Sequence, residues 1–371
     1  MAMPPAETSL PPPPAGETPA LPEVAAETPP ELPPPDGMAG PHIALLLPLK
    51  SAIFGPVAGV VQQGFMAAYN LQKRVLPVRT YSDFDENKDI VNVYRQAIAN
   101  GARAVVGPLT RNGVAALAAE QYIPVPTLAL NVVDGQPAPQ FYFFGMAVEA
   151  EARQVAQLAK RQGFHQAIII STRTQLSQRL QSAFEEEWHF AGGTILREIE
   201  FNDHTDVLSD ITDSSDTMVF LAANAQKARL IRPYLSSKFP VYSTSQIFTG
   251  NDKTLTNYDL NGIHFVDEPW LLQPDHPAVM IYPRANPPLP ADQERFYALG
   301  IDAFRLTQLL LTNKIPKALP LDGVSGKIQL YGQVFMREPI QAIFQQGIAQ
   351  LPGAITSPVP EAFPARIINV P

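Results

Sequence analysis

The 371-residue chain contains no cysteine. That single absence excludes disulfides, thiolate zinc sites and a cysteine nucleophile. It also fits an oxidising compartment, where a stray thiol is a liability. Basic residues are scarce as well. The 27 Lys and Arg stand against 35 Asp and Glu, giving a net charge of −8 and a pI near 5.3. Nucleic acid demands a basic face, and anionic membrane surfaces demand a polybasic patch; this composition argues against both. No apolar run approaches the roughly 20 residues that span a bilayer. The N-terminus shows no basic stretch followed by an apolar one, so no signal peptide is visible. The chain reads as cytosolic or as a mature form of an exported protein. What the sequence has in quantity is apolar residues, at 46%, and 39 prolines. Its length suffices for two lobes with cores of their own.

The prolines are unevenly spread. Residues 1–41 hold 14 of them, with no aromatic residue, no Lys and no Arg. Glu7, Glu17, Glu23, Glu27, Glu31 and Asp36 give this segment a charge of −6. Such a stretch cannot bury enough apolar surface to offset its chain entropy. The runs Pro11–Pro14 and Pro33–Pro35 favour extended polyproline conformation. Residues 1–41 therefore read as a disordered, acidic, Pro-rich linker that acts as a tether; the alternative reading is a recognition segment for a proline-binding module.

From His42 the pattern becomes an alternation of strand and helix. "HIALLLPL" is a continuous apolar run, as expected of a strand buried on both faces. Helical spacing follows over Pro56–Arg74, then a strand at "LPVRTYSD", a helix over Glu86–Ala99, a strand at "ARAVVGPL", a helix over Thr110–Glu120 and a strand at "VPTLAL". The alternation restarts with a helix over Val148–Gln162, "QAIIIS", a helix over Thr174–Ala191, "TILREIEF", "DTMVFLAA", a helix over Ala225–Leu235, "FPVYSTS" and "GIHFVDEPW". Two successive βα series predict an α/β protein of two lobes, with parallel sheets flanked by helices. The chain is expected to cross between lobes near Gly145 and again near Asp267. A late helix spans Asp292–Asn313, and "GKIQLYGQVFMREP" reads as a hairpin turning at Tyr331-Gly332.

Catalytic signatures are missing. No phosphate loop, dinucleotide fingerprint or G-x-S-x-G elbow occurs. The six histidines show no metal-binding spacing. Asp203–Asp206 offers two carboxylates and an imidazole, yet the same residues form an ordinary capping loop, and no metal or cofactor is expected. Glu185, Glu186 and Glu187 point about 100° apart around a helix and read as a solvated face, with Trp188 as its inward anchor. The Gly107-Pro108 turn lies at the carboxyl end of a strand, and Thr110 starts the next helix. That edge of an open α/β sheet is where ligands bind; the plainer reading of Thr110 is an N-cap.

Several segments carry a more specific signal: "IALLLPL" (Ile43–Leu49), "GARAVVGPL" (Gly101–Leu109), "VPTLALN" (Val125–Asn131), "FFGMAVEAEARQVA" (Phe143–Ala156), "YSTSQIFTG" (Tyr242–Gly250), "DLNGIHFVDEPW" (Asp259–Trp270), "ALGIDAFRL" (Ala298–Leu306) and "GVSGKIQL" (Gly323–Leu330). In this order they resemble the LppC family, over about residues 42–345. The resemblance implies a two-lobed type I periplasmic-binding-protein-like fold. It also implies a non-enzymatic periplasmic activator of a class A penicillin-binding protein, a peptidoglycan synthase, tethered to the outer membrane as a lipoprotein. Two family features find no match: residues 1–41 cannot be its N-terminal helical-repeat domain, and no lipobox cysteine is present. Contact with a membrane is expected only through an anchor that this chain does not carry.

The expected organisation is a linker over 1–41, a first lobe over 42–146 plus about 267–320, a second lobe over 147–266 plus about 321–350, and a C-terminal extension over 351–371. A competing reading is a solute-binding protein that closes on an amino acid, a muropeptide or a similar small molecule. Binding-fold topology makes Thr110, Asn131, Glu149, Ser245 and Gln246 the candidates to line the interlobe cleft. Trp270 is the candidate structural anchor of the lobe junction.

Overall fold

A computed structural model describes residues 40–353, apart from residue 74 and residues 83–88, 212–214 and 315–317. Residues 1–39 of the expected linker and 354–371 of the expected extension lie outside the described residues.

The first series runs through strand β1 (His42–Leu46), helix α1 (Gly55–Asn70), β2 (Val78–Tyr81), α2 (Ile90–Ala99), β3 (Ala102–Val106), α3 (Arg111–Ala118), β4 (Thr127–Ala129) and β5 (Phe141–Phe143). The second comprises α4 (Val148–Arg161), β6 (Gln166–Ser171), α5 (Gln175–Phe190), β7 (Thr194–Glu200), β8 (Thr217–Ala222), α6 (Ala225–Ile231), β9 (Val241–Ser243), the single-turn α7 (Thr254–Asn257) and β10 (Ile263–Asp267). The chain returns through the short α8 (Pro269–Leu272) and α9 (Pro277–Met280) to the long α10 (Ala291–Leu311). It ends in β11 (Leu321–Gly323), β12 (Gly326–Tyr331), β13 (Val334–Glu338), β14 (Ile340–Gln345) and β15 (Ile348–Gln350).

Two sheets result. The first has the order β11-β12-β13-β5-β4-β3-β1-β2 and the second β15-β14-β10-β9-β8-β6-β7. Both are parallel through their centres and end in antiparallel hairpins on one side. Every residue of β1 and of β8 is buried, because helices cover both faces of a parallel sheet and leave no side for water. Along β1, Ile43 and Leu45 point into one core, with Val61, Phe65, Leu299 and Phe304. Ala44 and Leu46 point into the other, with Val105, Leu117 and Phe141. The second sheet likewise separates two cores, one around Ile170, Leu221 and Phe265, the other around Ile169, Phe184 and Trp188. The fold is thus two-lobed α/β with parallel sheets flanked by helices.

Helices α1 and α10 touch backbone to backbone. A Cβ on Gly64 would lie 1.9 Å from the Tyr297 carbonyl oxygen, and one on Gly300 2.1 Å from that of Val61. Glycine at both positions lets the returning helix seal the first lobe against the helix that opened it.

The C-terminal strands correct the expected organisation. Residues 321–338 do not join the second lobe. Val334 of β13 pairs with Phe143 of β5, and Ile328 and Phe335 are buried with Trp270 and Phe304 in the first lobe's core. Only β14 and β15 extend the second sheet, beside β10. The chain therefore crosses between sheets a third time, at Pro339, as well as beyond Phe143 and beyond Asp267. Local alternation in "GKIQLYGQVFMREP" predicts a hairpin, which is present, with Gly332 in the left-handed turn (φ 59). It carries no information about which sheet the hairpin extends.

Candidate functional site

Thr110, Asn131, Ser245 and Gln246 follow the carboxyl ends of β3, β4 and β9, and Glu149 lies in the first turn of α4, but most of their polar groups are engaged locally. Thr110 is buried and extended, and its Oγ1 accepts a hydrogen bond from the Gly113 N–H at 3.2 Å. It is the N-cap of α3. Asn131 donates from Nδ2 to the Leu109 carbonyl at 3.1 Å, and its Oδ1 accepts from the Val132 N–H. It ties the loop after β4 to the loop after β3. Glu149 is taken by Arg179 of α5, whose Nε donates to it at 2.7 Å. Gln246 is half-buried next to Ser245. A Thr110→Ala variant should lose about 1 kcal/mol, the ordinary cost of a lost N-cap. Thr110→Ser should keep most of that contribution, and thermal denaturation of the two variants checks it.

Ser245 leads to the feature that sequence reading did not identify. Its backbone N–H donates to Oε2 of Glu151 at 3.0 Å, and its carbonyl accepts from Nη2 of Arg295 at 3.0 Å. Arg295, on α10 of the first lobe, also donates to the Phe248 carbonyl and holds both oxygens of Asp267, at 2.9 and 2.6 Å. Bidentate pairing of this kind is the strongest that guanidinium and carboxylate make. Next to it Arg337, on β13, donates to Glu268 Oε1 at 2.6 Å and to the Gly145 carbonyl at 3.1 Å. Gln154 of α4 donates to the Pro339 carbonyl at 2.8 Å. The three crossings of the chain, near Gly145, at Asp267–Glu268 and at Pro339, are thus pinned by a cluster of buried charged side chains and the half-buried Gln154.

The cluster lies almost wholly out of water. Asp267 is 1% exposed, Glu268 3% and Arg295 5%. Burial pushes the Glu151 carboxyl up, and so does the neighbouring Asp267 charge. The Ser245 N–H, Arg295 and Arg337 act in the opposite sense. Burial likewise raises Glu268 well above the usual carboxylate range, against the pull of Arg337 and Arg295. For Arg295 burial opposes the charge, but the bond with Asp267 outweighs it and the net displacement is upward. Three buried oxygens of the cluster, Glu268 Oε2, Ser245 Oγ and Thr244 Oγ1, have no hydrogen-bond partner among the described residues.

Trp270 follows directly. It is fully buried in the first lobe's core; its N–H donates to Glu294 Oε2, the Arg284 guanidinium lies 3.7 Å from the ring centroid, and Tyr297 stacks on it at 5.5 Å. Its backbone N–H donates to Val324 O at 2.9 Å. Farther along, Asp302 of α10 accepts from the Ser325 N–H and Oγ and from the Val324 N–H, fixing the turn between β11 and β12. The segments "FFGMAVEAEARQVA", "YSTSQIFTG", "DLNGIHFVDEPW", "ALGIDAFRL" and "GVSGKIQL" therefore supply this junction and its supports: Gly145 and Glu151, Ser245, Asp267 and Glu268 and Trp270, Asp302, and Ser325. No local spacing could have linked Glu151, Asp267, Arg295 and Arg337. The available signal was weaker: charged residues set directly against apolar runs, as in "HFVDE" and "ERFYAL".

Elsewhere, Asp203 pairs with Lys227 and not with a metal-ligand set. Among the described residues no group of three or more His, Asp or Glu side chains could hold a metal ion, and no helix is long and apolar enough to cross a membrane.

Comparison with known proteins adds to this geometry. The family model described as "LppC putative lipoprotein" matches residues 38–216 and 209–347. A penicillin-binding protein activator LpoA from Haemophilus ducreyi is 27% identical over 302 residues, covering 77% of this chain and 50% of its own. Its counterpart in Vibrio antiquarius is 25% identical, covering 78% and 54%. The chain spans about half the length of these curated relatives. Among solved structures, the C-domain of Haemophilus influenzae LpoA, described as a regulator of PBP1A, superposes with a TM-score of 0.70 at 23% identity, covering 83% of this chain and 99% of that one. A Chromobacterium violaceum protein named "putative branched-chain amino acid ABC transporter" superposes with a TM-score of 0.72 at 36% identity, covering 82% and 100%. The match along nearly all of the described body, through the segments that build the interlobe junction, places the chain in the LppC family.

Proposed function

We propose that this chain is the two-lobed part of a periplasmic activator that stimulates a class A penicillin-binding protein by direct contact, and that it catalyses no reaction itself. In this reading the protein acts in the periplasm, held to the outer membrane by a lipid anchor, and regulates peptidoglycan synthesis. Relatives named as penicillin-binding protein activators along more than three quarters of the chain support it. The structural observation that carries it is the use of the junction's charges. A receptor for an amino acid needs a carboxylate to meet an ammonium group. At the interlobe end of the second sheet, Asp267 and Glu268 are turned to guanidiniums, and Glu151 to a backbone N–H. The body is bolted together, which suits a scaffold offering a fixed surface to a protein.

The name of the 36%-identical solved structure favours a second reading, a small solute held between the lobes near Thr110 and Gln246. One experiment separates the two. The purified protein should retain a class A penicillin-binding protein in a pull-down and raise its glycan-polymerising rate. On its own it should turn over no peptidoglycan precursor, and amino acids and muropeptides should leave its melting temperature unchanged. Absence of retention, together with a thermal shift from one of those ligands, would favour the receptor; about 2.7 kcal/mol of stabilisation is expected at a hundredfold excess over Kd.

A further inference from the structure

The junction contains three carboxyl groups, Glu151, Asp267 and Glu268, and two guanidiniums, Arg295 and Arg337. Among the described residues these five are the charged groups that face one another there: Glu151 from α4, Asp267 and Glu268 from the end of β10, Arg295 from α10 and Arg337 from β13. Both guanidiniums are committed. Arg295 takes Asp267 and two carbonyls, while Arg337 takes one oxygen of Glu268 and the Gly145 carbonyl. Glu151 has only the Ser245 N–H, with no guanidinium hydrogen bond among the described residues. The second oxygen of Glu268 and the hydroxyls of Ser245 and Thr244 have no partner there either. With all three carboxyls ionised, one buried negative charge would be left over. Such a charge is neutralised by taking up a proton in preference to staying ionised in a low dielectric.

We propose that the interlobe junction is a proton-linked latch: the two lobes are held in this arrangement with one proton on Glu151 or Glu268, and the hold weakens when that proton leaves. The proton balances the third carboxyl. Removing it leaves Glu151, Asp267 and Glu268 to repel one another across the two crossings they join. The sign follows from the direction in which burial moves both glutamates. A carboxyl whose folded pKa lies above its unfolded value contributes most at acidic pH, and the contribution is lost as pH rises through the folded pKa. The latch therefore tightens on acidification and slackens towards alkaline pH. The proposal concerns the fold alone and involves no partner.

The test uses Glu151→Gln, which keeps the shape and the acceptor for the Ser245 N–H but equalises the charges. Melting temperatures of the native protein and the variant are compared from the ordinary carboxylate range upward to alkaline pH, the direction in which burial moves both glutamates. The native protein should lose at least about 2 °C relative to the variant across that range. Lobe separation is read in parallel by spin labels on single cysteines at Tyr122 in the first lobe and Phe190 in the second, both strongly exposed. The cysteine-free chain makes such labelling unambiguous. Distances should broaden at alkaline pH in the native background and stay narrow with Glu151→Gln. Glu268→Gln, which also equalises the charges, should likewise flatten the pH response even if its baseline stability is lower. Parallel pH profiles in native and variant proteins would overturn the latch. So would a melting-temperature difference with unchanged distances, since the proton would then bear on stability without governing the lobes.

Discussion

Replacing Trp270 by alanine should lower the stability of the first lobe by about 3–5 kcal/mol, the cost of removing a large aromatic side chain from a packed core. The indole fills the space between Tyr297 and the Arg284 guanidinium, and its loss opens a cavity that the backbone contact of α1 with α10 keeps from collapsing. Two further terms add to the packing loss. The buried Glu294 carboxylate loses its N–H donor, and Arg284 loses the aromatic surface beneath its charge, an interaction of about 0.5–2 kcal/mol. Trp270→Phe should restore most of the packing but leave Glu294 without that donor, at a remaining cost of about 1–3 kcal/mol. Thermal and urea denaturation measure both variants. The chain has only 2 tryptophans, and Trp188 is buried in the second lobe. In Trp270→Ala its fluorescence therefore follows that lobe separately. Unchanged stability combined with lost partner binding would show Trp270 to be an interaction residue and not a core one.

Arg295→Met should be of similar size, about 3–5 kcal/mol, for an electrostatic reason. Removing one member of a buried ion pair leaves the other as an uncompensated charge. Asp267 would remain in a site that excludes water, and the Ser245 and Phe248 carbonyls would lose a donor. All of these acceptors lie in the segment of the second lobe, whereas Arg295 belongs to α10. The variant should accordingly uncouple the lobes, and calorimetry should resolve two transitions in place of one cooperative unit. Adding Asp267→Asn to the Arg295→Met background should return part of the loss, with a coupling energy of about 0.5–3 kcal/mol. Strictly additive single and double variants, or a single undisturbed transition for Arg295→Met, would refute the assignment of this pair as the bolt between lobes.

The central strands were legible because their environment is uniform. β1, β3, β6 and β8 lie between two layers of helix, so "HIALL", "AVV", "AIII" and "MVFLA" can be apolar without interruption. β14 and β15 were not, since an antiparallel edge with one wet face alternates weakly over few residues. β5 is only three residues long and gives no period to read. The placement of 321–338 failed for another reason. Gln333 donates to the Phe141 carbonyl, 192 positions earlier in the chain; pairing at that separation is decided by the assembled sheet and leaves no local trace. The site was hidden by the same distance. Binding-fold topology selects Glu149, but Glu149 meets Arg179 on the face shared by α4 and α5, and the acid that turns inward is Glu151, two positions on. Within "YSTSQIFTG", binding-fold topology selects Ser245 and Gln246 as cleft candidates. The backbone of this segment instead supplies the N–H for Glu151 and two carbonyls for Arg295.

The third crossing at Pro339 has a consequence for how the molecule assembles. β13 must find β5 although the whole second lobe lies between them in sequence. Closing a loop of that length costs entropy that grows with the logarithm of the intervening chain. Residues 148–267, however, form a sheet of five parallel strands, β6 to β10, that needs nothing from the C-terminus to begin pairing. Once they have paired, their two ends are already held near each other. The free chain still to be closed between β5 and β13 then falls from roughly 190 residues to roughly 70, a saving of about 0.9 kcal/mol on the logarithmic law. The inserted lobe works as a prefolded bracket. It brings β13 back to the edge of a sheet that was synthesised first and is completed almost last.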